Sequence, residues 1–313
     1  MRKALIIGLN DYPSAPLHGC VNDAHSVASI LRSHSDGSPN FDVKLVTDTC
    51  SKSDLKKSIR NLFEGENDIA LLYFSGHGIV TSTGGYIATT DYEEDNEGVS
   101  MDDILLYANG SKAKNKVIML DCCHSGAFGS PAISNKDGLA SICEGLTVLT
   151  ASRKDEAALE VGGSGLFTSL LVEALHGGGA DLIGDITPGS VYSYIDRTLG
   201  AWDQRPIFKT NVSTFTSLRK VNPPIPLETL RKISDYFSSP EEQFKLDPSF
   251  EPDSESPNED NVEIFGCLQK MVRVGLVTPV DEEHMYYAAM NSKACRLTAM
   301  GYHYWKLATA KKI

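Results

Sequence analysis

The chain has 313 residues, enough to bury a large hydrophobic core without disulfide or metal staples. Its 41% hydrophobic and 22% charged content fits a soluble globular protein, and a net charge of −12 disfavours nucleic acid and anionic membrane as partners. The first apolar run, Ala4 to Ile7 and neighbours, is too short for a signal peptide. No stretch approaches the ~20 apolar residues of a membrane span. Seven cysteines are scattered without a CxxC pair, as expected of reduced thiols in a cytoplasm.

Taken in chain order, Lys3–Leu9 reads as a buried strand and Asn22–Ser33 as a helix. Val43–Asp48 reads as a second strand, Ser51–Phe63 as a helix and Asp68–Ser75 as a third strand. Ser100 caps a helix over Ser100–Ala108, and strands follow at Asn115–Cys122 and Gly145–Thr150. Helices at Leu166–His176 and Thr187–Leu199 precede an edge strand opened by Pro206, at Pro206–Asn211. Alternating strands and helices predict an α/β sandwich: a mostly parallel sheet covered on both faces, with its site beyond the C-terminal strand ends.

Val221 to Pro226 reads as a stiff linker, dividing residues 1–220 from 221–313. The second segment predicts helices at Leu227–Phe237 and Asn261–Val274 around a loop or disordered stretch, Leu246–Asp260, rich in Asp, Glu, Pro and Ser. Strands near Leu276–Pro279 and Met285–Ala289 and a last helix at Leu297–Ala310 complete a small α+β, winged-helix-like pattern. Residues 222–313 carry 14 acidic against 10 basic residues, so DNA binding is disfavoured there despite Lys293, Arg296, Lys306, Lys311 and Lys312. Tyr286, Tyr287, Tyr302, His303, Tyr304 and Trp305 suit either a core or a base-stacking surface.

Two motifs close two of the predicted strands: Tyr73-Phe74-Ser75-Gly76-His77-Gly78 and Leu120-Asp121-Cys122-Cys123-His124-Ser125-Gly126. Strand side chains alternate between faces, so Asp121 and Cys123 point one way and Cys122 the other. Ser75 and His77 likewise share a direction. If the strands adjoin, one face presents Ser75, His77, Asp121 and Cys123, and Cys122 is a buried, inert thiol. Adjacent cysteines pointing apart do not readily clasp one metal ion. A thiol and an imidazole so placed suit nucleophilic catalysis at a carbonyl, with His77 activating Cys123 and the N–H groups of Gly78 and Cys123 forming an oxyanion hole. One such donor is worth ~3–4 kcal/mol.

These motifs resemble the caspase fold family, and within it the metacaspase branch and its bacterial relatives. His77 and Cys123 lie 46 positions apart, in line with the family's spacing of ~50. The resemblance spans about residues 1–215. It includes Leu149 to Glu156 as the strand and loop that open the smaller catalytic subunit, Gly165-Leu166-Phe167-Thr168 and Asp185-Ile186-Thr187 as its helix starts, and Gln204-Arg205-Pro206 at its last strand. It implies a cysteine endopeptidase with a Cys–His dyad and protein substrates. Gly19-Cys20-Val21-Asn22-Asp23-Ala24 resembles the family's Gly-Cys-x-Asn-Asp-Ala element, so Cys20, Asp23, Ser75 and Asp121 correspond to its S1 pocket, and two carboxylates there imply cleavage after Arg or Lys. Helix capping and strand-end roles are the alternative for those two acids.

Calcium-dependent members hold the ion with four Asp residues. Asp91, Asp102 and Asp103 match three of them in order, while Gly126 to Pro131 offers no fourth, so the sequence establishes no cofactor and calcium is only a weak candidate. Lys136, in the stretch Phe128–Asp137, is a candidate self-cleavage residue. The resemblance also implies a gated effector, of the kind used in antiphage defence, whose second segment receives a nucleotide second messenger or a protein activator. The rival from another class is a pseudoenzyme adaptor that uses the fold for assembly.

Overall fold

The structure, a computed structural model, describes residues 1–93, 96–122, 142–151, 160–161, 163–199 and 205–313. It divides into two compact units: Met1–Ala180 with Asp185–Val221, and Asp181–Gly184 with Asn222–Ile313.

In the first unit the strands are β1 (Arg2–Gly8), β2 (Asp42–Thr47), β3 (Ile69–Ser75), β4 (Gly78–Thr81), β5 (Gly84–Ile87), β6 (Val99–Ser100), β7 (Asn115–Asp121) and β8 (Leu146–Thr150). These are followed by β9 (Glu160–Val161), β10 (Ser164–Gly165), β11 (Asp185–Ile186), β12 (Ile207–Asn211) and β13 (Arg219–Lys220). The helices are α1 (Cys20–Leu31), α2 (Lys52–Phe63), α3 (Met101–Asn109), α4 (Leu166–Glu173) and α5 (Pro188–Leu199). Six strands form the central sheet in the order β12-β8-β7-β3-β1-β2. Five are parallel, and β12 closes the edge antiparallel to β8, with Pro206 just outside the ladder.

Runs such as Ile69-Ala70-Leu71-Leu72-Tyr73-Phe74 are apolar at every position because the sheet is covered on both sides. Alternation then splits them. Ile6, Tyr73 and Met119 pack with α1, α4 and α5, while Ile7, Phe74 and Leu120 pack with α2 and α3. Each such side chain contributes ~1.5–3 kcal/mol on burial. The register sets Gly8 beside Ser75 and Ser75 beside Asp121, so the tips of β1, β3 and β7 are level.

Helix starts follow their caps: Ser51 and Ser100 accept from the backbone N–H groups of Asp54 and Asp102. The predicted helix Leu166–His176 stops at Glu173, and a π-turn, Ala174–Gly178, follows. Gly177, at φ 142°, breaks the regular turn there. The hairpin β4–β5 was not foreseen, because strands of four residues around Thr81 to Gly85 carry almost no apolar alternation.

The second unit contains α6 (Leu227–Arg231), α7 (Ile233–Tyr236), β14 (Gln243–Lys245), a 3-10 turn (Pro248–Phe250), α8 (Glu259–Arg273), β15 (Val277–Val280), α9 (Met285–Met290), β16 (Ala294–Leu297) and α10 (Ala299–Thr309). Its sheet is antiparallel in the order β14-β16-β15. Phe237, Phe244, Phe250 and Phe265 run through its core in edge-to-face contacts of 5.8–6.3 Å. Burial there pushes the Cys295 thiol up to about 12.

Two expectations are corrected here, and for 246–260 the loop alternative holds: Leu246 and Phe250 are buried, and Asp247 caps the 3-10 turn by accepting from Ser249 N–H. The polar average of that stretch hid two core anchors. Residues 285–289 form a helix, not a strand, because Met285, Ala288 and Ala289 are buried at helical spacing while Tyr286 and Tyr287 are exposed. The predicted helix Leu227–Phe237 is two short helices, with Lys232 between them. Among the described residues, no helix is long and apolar enough to cross a membrane.

Candidate active site

The site is assembled at the level tips of β1, β3 and β7. Ser75 ends β3 and Asp121 ends β7, side by side, and Gly76 N–H donates to the Asp121 carbonyl at 3.3 Å. The pairing thus continues one residue past β3, immediately before His77.

His77 is half-buried and held on several sides. A backbone carbonyl can only accept, so the 2.7 Å contact between His77 Nε2 and Ala15 O puts the ring proton on Nε2 and leaves Nδ1 as the acceptor of the neutral imidazole. The His77 backbone N–H donates to Tyr12 Oη at 3.1 Å, and its carbonyl accepts from Ala88 N–H at 2.9 Å. Gly78 opens β4 opposite Ile87.

Three of the predicted residues, Asp23, Ser75 and Asp121, meet at the start of α4, and Cys20 lies one helical turn before Asp23 in α1. Cys20, Asp23, Ser75 and Asp121 are all at least 95% buried, at 5%, 2%, 2% and 5% exposure. Ser75 Oγ donates to Asp23 Oδ2 at 3.2 Å, and Gly165 N–H donates to the same oxygen at 3.1 Å. Asp121 Oδ2 accepts from Thr168 Oγ1 at 2.6 Å and from Thr168 N–H at 3.3 Å. With its proton committed to the carboxylate, the Thr168 hydroxyl accepts from Tyr73 Oη. Burial, and then the Asp121 and Asp23 charges, hold the Tyr73 phenol well above its ordinary range, so it stays a donor. The first turn of α4 therefore rests on two carboxylates that satisfy its N–H groups. Gly165 is required for that approach, because a Cβ there would lie 2.2 Å from Asp121 Oδ2.

Tyr73 and Thr168 were missed from the sequence. Thr168 sat in a motif read only as a helix start, and Tyr73 looked like one more core aromatic. Cys122 is 1% exposed and packs with Phe74 and Leu120 on the opposite face of the sheet. Cys123 lies outside the described residues, as do Lys136, residues 152–156 and Gln204.

The calcium candidates are not brought together. Asp91 accepts from Lys52 N–H at 3.1 Å at the start of α2, Asp103 pairs with Lys56 at 2.7 Å, and Asp102 lies in the first turn of α3. Among the described residues, no group of three His, Cys, Asp or Glu is placed to hold a metal ion.

The caspase-domain model of the C14 peptidases matches residues 1–215. The chain belongs to the caspase-domain peptidase family. Metacaspase-1A of Neurospora crassa is 33% identical over 104 residues, which cover 30% of this chain and 21% of that protein. The match thus spans about a fifth of the relative's length. Two crystal structures share the fold. A Geobacter sulfurreducens protein has a TM-score of 0.51 at 18% identity, over 72% of this chain and 99% of its own. Caspase-1 of Spodoptera frugiperda has a TM-score of 0.51 at 13% identity, over 71% and 91%. The α/β caspase-like sandwich predicted from the sequence is therefore the fold of the first unit.

Proposed function

We propose that this caspase-family protein is a cysteine endopeptidase that cleaves after Arg or Lys, with Cys123 as nucleophile and His77 as its acid–base partner. The observation that carries this reading is the Nε2–Ala15 contact at the tip of β3, which leaves Nδ1 to exchange a proton with a thiol arriving from the adjoining tip of β7. The proton of Cys123 passes to Nδ1, and the thiolate attacks the peptide carbonyl. The tetrahedral oxyanion is met by the N–H groups of Gly78 and Cys123. Collapse breaks the C–N bond, the imidazolium protonates the leaving amine, and water then hydrolyses the thioester.

Specificity for a basic P1 residue rests on Asp23 and Asp121, two buried carboxylates beside Ser75 and Cys20. A guanidinium or ammonium entering there would form charge-assisted hydrogen bonds. The second unit, which we read as winged-helix-like from its strand order β14-β16-β15 and the helices around it, would serve as a regulatory unit that receives a nucleotide or protein signal and gates the peptidase, as in a defence effector.

The test uses the full-length chain with fluorogenic peptides ending in Arg, Lys or Asp, with Cys123→Ala as control. Cleavage after Arg and Lys that is lost in Cys123→Ala is the expected result. Cleavage that survives that substitution refutes the nucleophile, and preference for Asp refutes the pocket. Should a gate keep the enzyme silent, a thiol-reactive Arg peptide that labels Cys122 rather than Cys123 refutes the assignment directly.

A further inference from the structure

Tyr12 was singled out by no motif, yet it touches His77 at two points. Its hydroxyl accepts the His77 backbone N–H at 3.1 Å and donates to Ala88 O at 3.3 Å. Its ring meets the imidazole edge-on, with centroids 4.6 Å apart and planes at 63°. The side chain is 5% exposed, and burial raises its phenol far above the usual range, so the hydroxyl stays protonated at any working pH.

The segment that carries Tyr12 is itself tied down. Tyr12 N–H and Leu17 N–H both donate to Asn10 O, at 2.9 and 3.0 Å, which closes the loop on one residue. The Asn10 side chain donates to His18 O and accepts from Val21 N–H, fastening the loop to the start of α1. Pro16 restricts Ala15 to extended backbone. The same loop therefore supplies both Tyr12 and the Ala15 carbonyl that fixes Nε2. Gly76 leaves room for the contact: a Cβ there would lie 2.5 Å from Tyr12 Oη.

We propose that Tyr12 is a positioning residue for the imidazole of His77, holding its backbone through the hydroxyl and its ring plane through the aromatic edge, so that Nδ1 stays aimed where the thiol must meet it. The inference rests on the reading of His77 and Cys123 as the reacting pair.

The test is Tyr12→Phe in the full-length chain, which keeps the ring and removes one oxygen. The readout is the rate of alkylation of Cys123 by iodoacetamide between pH 5 and 9, followed by mass spectrometry, which needs no activator. An imidazole held in place stabilises the thiolate below the ordinary thiol pKa of ~8.5. Tyr12→Phe is expected to move the alkylation profile toward that ordinary value and, in the active enzyme, to lower kcat ~10-fold with KM within ~2-fold. A variant with lowered thermal stability but wild-type profile, kcat and KM would show a merely structural role and overturn the proposal. If wild-type Cys123 itself titrates as an ordinary thiol, or His77→Ala leaves the profile unchanged, the dyad reading fails instead. Gly76→Ala, which displaces the hydroxyl from the other side, guards against a Tyr12→Phe protein that does not fold; a folded Gly76→Ala with an unshifted profile also overturns the proposal.

Discussion

Replacing Thr168 by Val is the sharpest probe of the buried network beneath the site. The substitution is nearly isosteric, so it leaves packing intact and removes one hydroxyl. That hydroxyl donates to Asp121 Oδ2 at 2.6 Å and accepts from Tyr73. Loss of a hydrogen bond to a charged group is worth ~1.5–3 kcal/mol, and a buried phenol deprived of its acceptor costs a further ~1–3 kcal/mol. Thr168 N–H still reaches the carboxylate, and the Tyr73 phenol also interacts with Ser75, so the lower end applies, about 2.5 kcal/mol in all. For a domain of this size that lowers Tm by roughly 5–10 °C. The internal control is Thr147→Val, which breaks a neutral hydroxyl pair with Thr210 at 2.9 Å and should cost ~1 kcal/mol. Calorimetry and urea unfolding of the two variants check the difference. If Thr168→Val is no more destabilising than Thr147→Val, the carboxylate does not depend on that hydroxyl and the network is incidental.

Asp68 takes both the N-terminal ammonium and Lys114, which hold its carboxyl at about 2. Its folded pKa lies below its unfolded value, so the stabilisation is present above the unfolded pKa near 4 and is lost as pH falls toward 2. A carboxyl NMR titration with a midpoint near 4 contradicts this, and Asp68→Asn should flatten the acid limb of the stability curve. Phe250→Ala should cost ~3–5 kcal/mol, because Phe250 fills the core of the second unit between Phe244 and Phe265; urea unfolding with a loss below ~1 kcal/mol would mean that 246–260 is peripheral after all. Asp23→Asn should lower kcat/KM for Arg-ending peptides by at least ~10-fold; a fall below ~2-fold would remove Asp23 from the specificity pocket.

The central sheet was legible because four of its strands are largely apolar, mostly buried runs, a pattern that parallel strands covered on both faces produce. Alternation also put Cys122 on the face away from Ser75 and Asp121, since a period of two fixes which residues share a face. What stayed hidden depends on contacts between segments remote in sequence. Tyr12 and His77 are 65 positions apart, and Asp121 and Thr168 are 47 apart. Neither pair leaves a local signature. In the second unit the polar stretch around Phe250 hid its core anchors for the converse reason: composition averages over a window, whereas a 3-10 turn needs only one cap and two anchors.

The parallel arrangement explains why so much of the site comes from so little chain. Each strand of a parallel sheet delivers its C-terminal end to the same edge. β3 delivers Ser75 and leads directly into His77, and β7 delivers Asp121. β1 contributes nothing chemical at its own tip, yet the loop that follows it supplies Ala15 and Tyr12, and the helix after that supplies Cys20 and Asp23. One crossover therefore fixes the orientation of the imidazole and also places a carboxylate of the proposed pocket. The two roles should be coupled: a change that loosens Asn10, which closes this loop, should slow the thiol chemistry and weaken discrimination for Arg together. If Asn10→Ala altered one without the other, the loop would be two independent supports rather than a single brace.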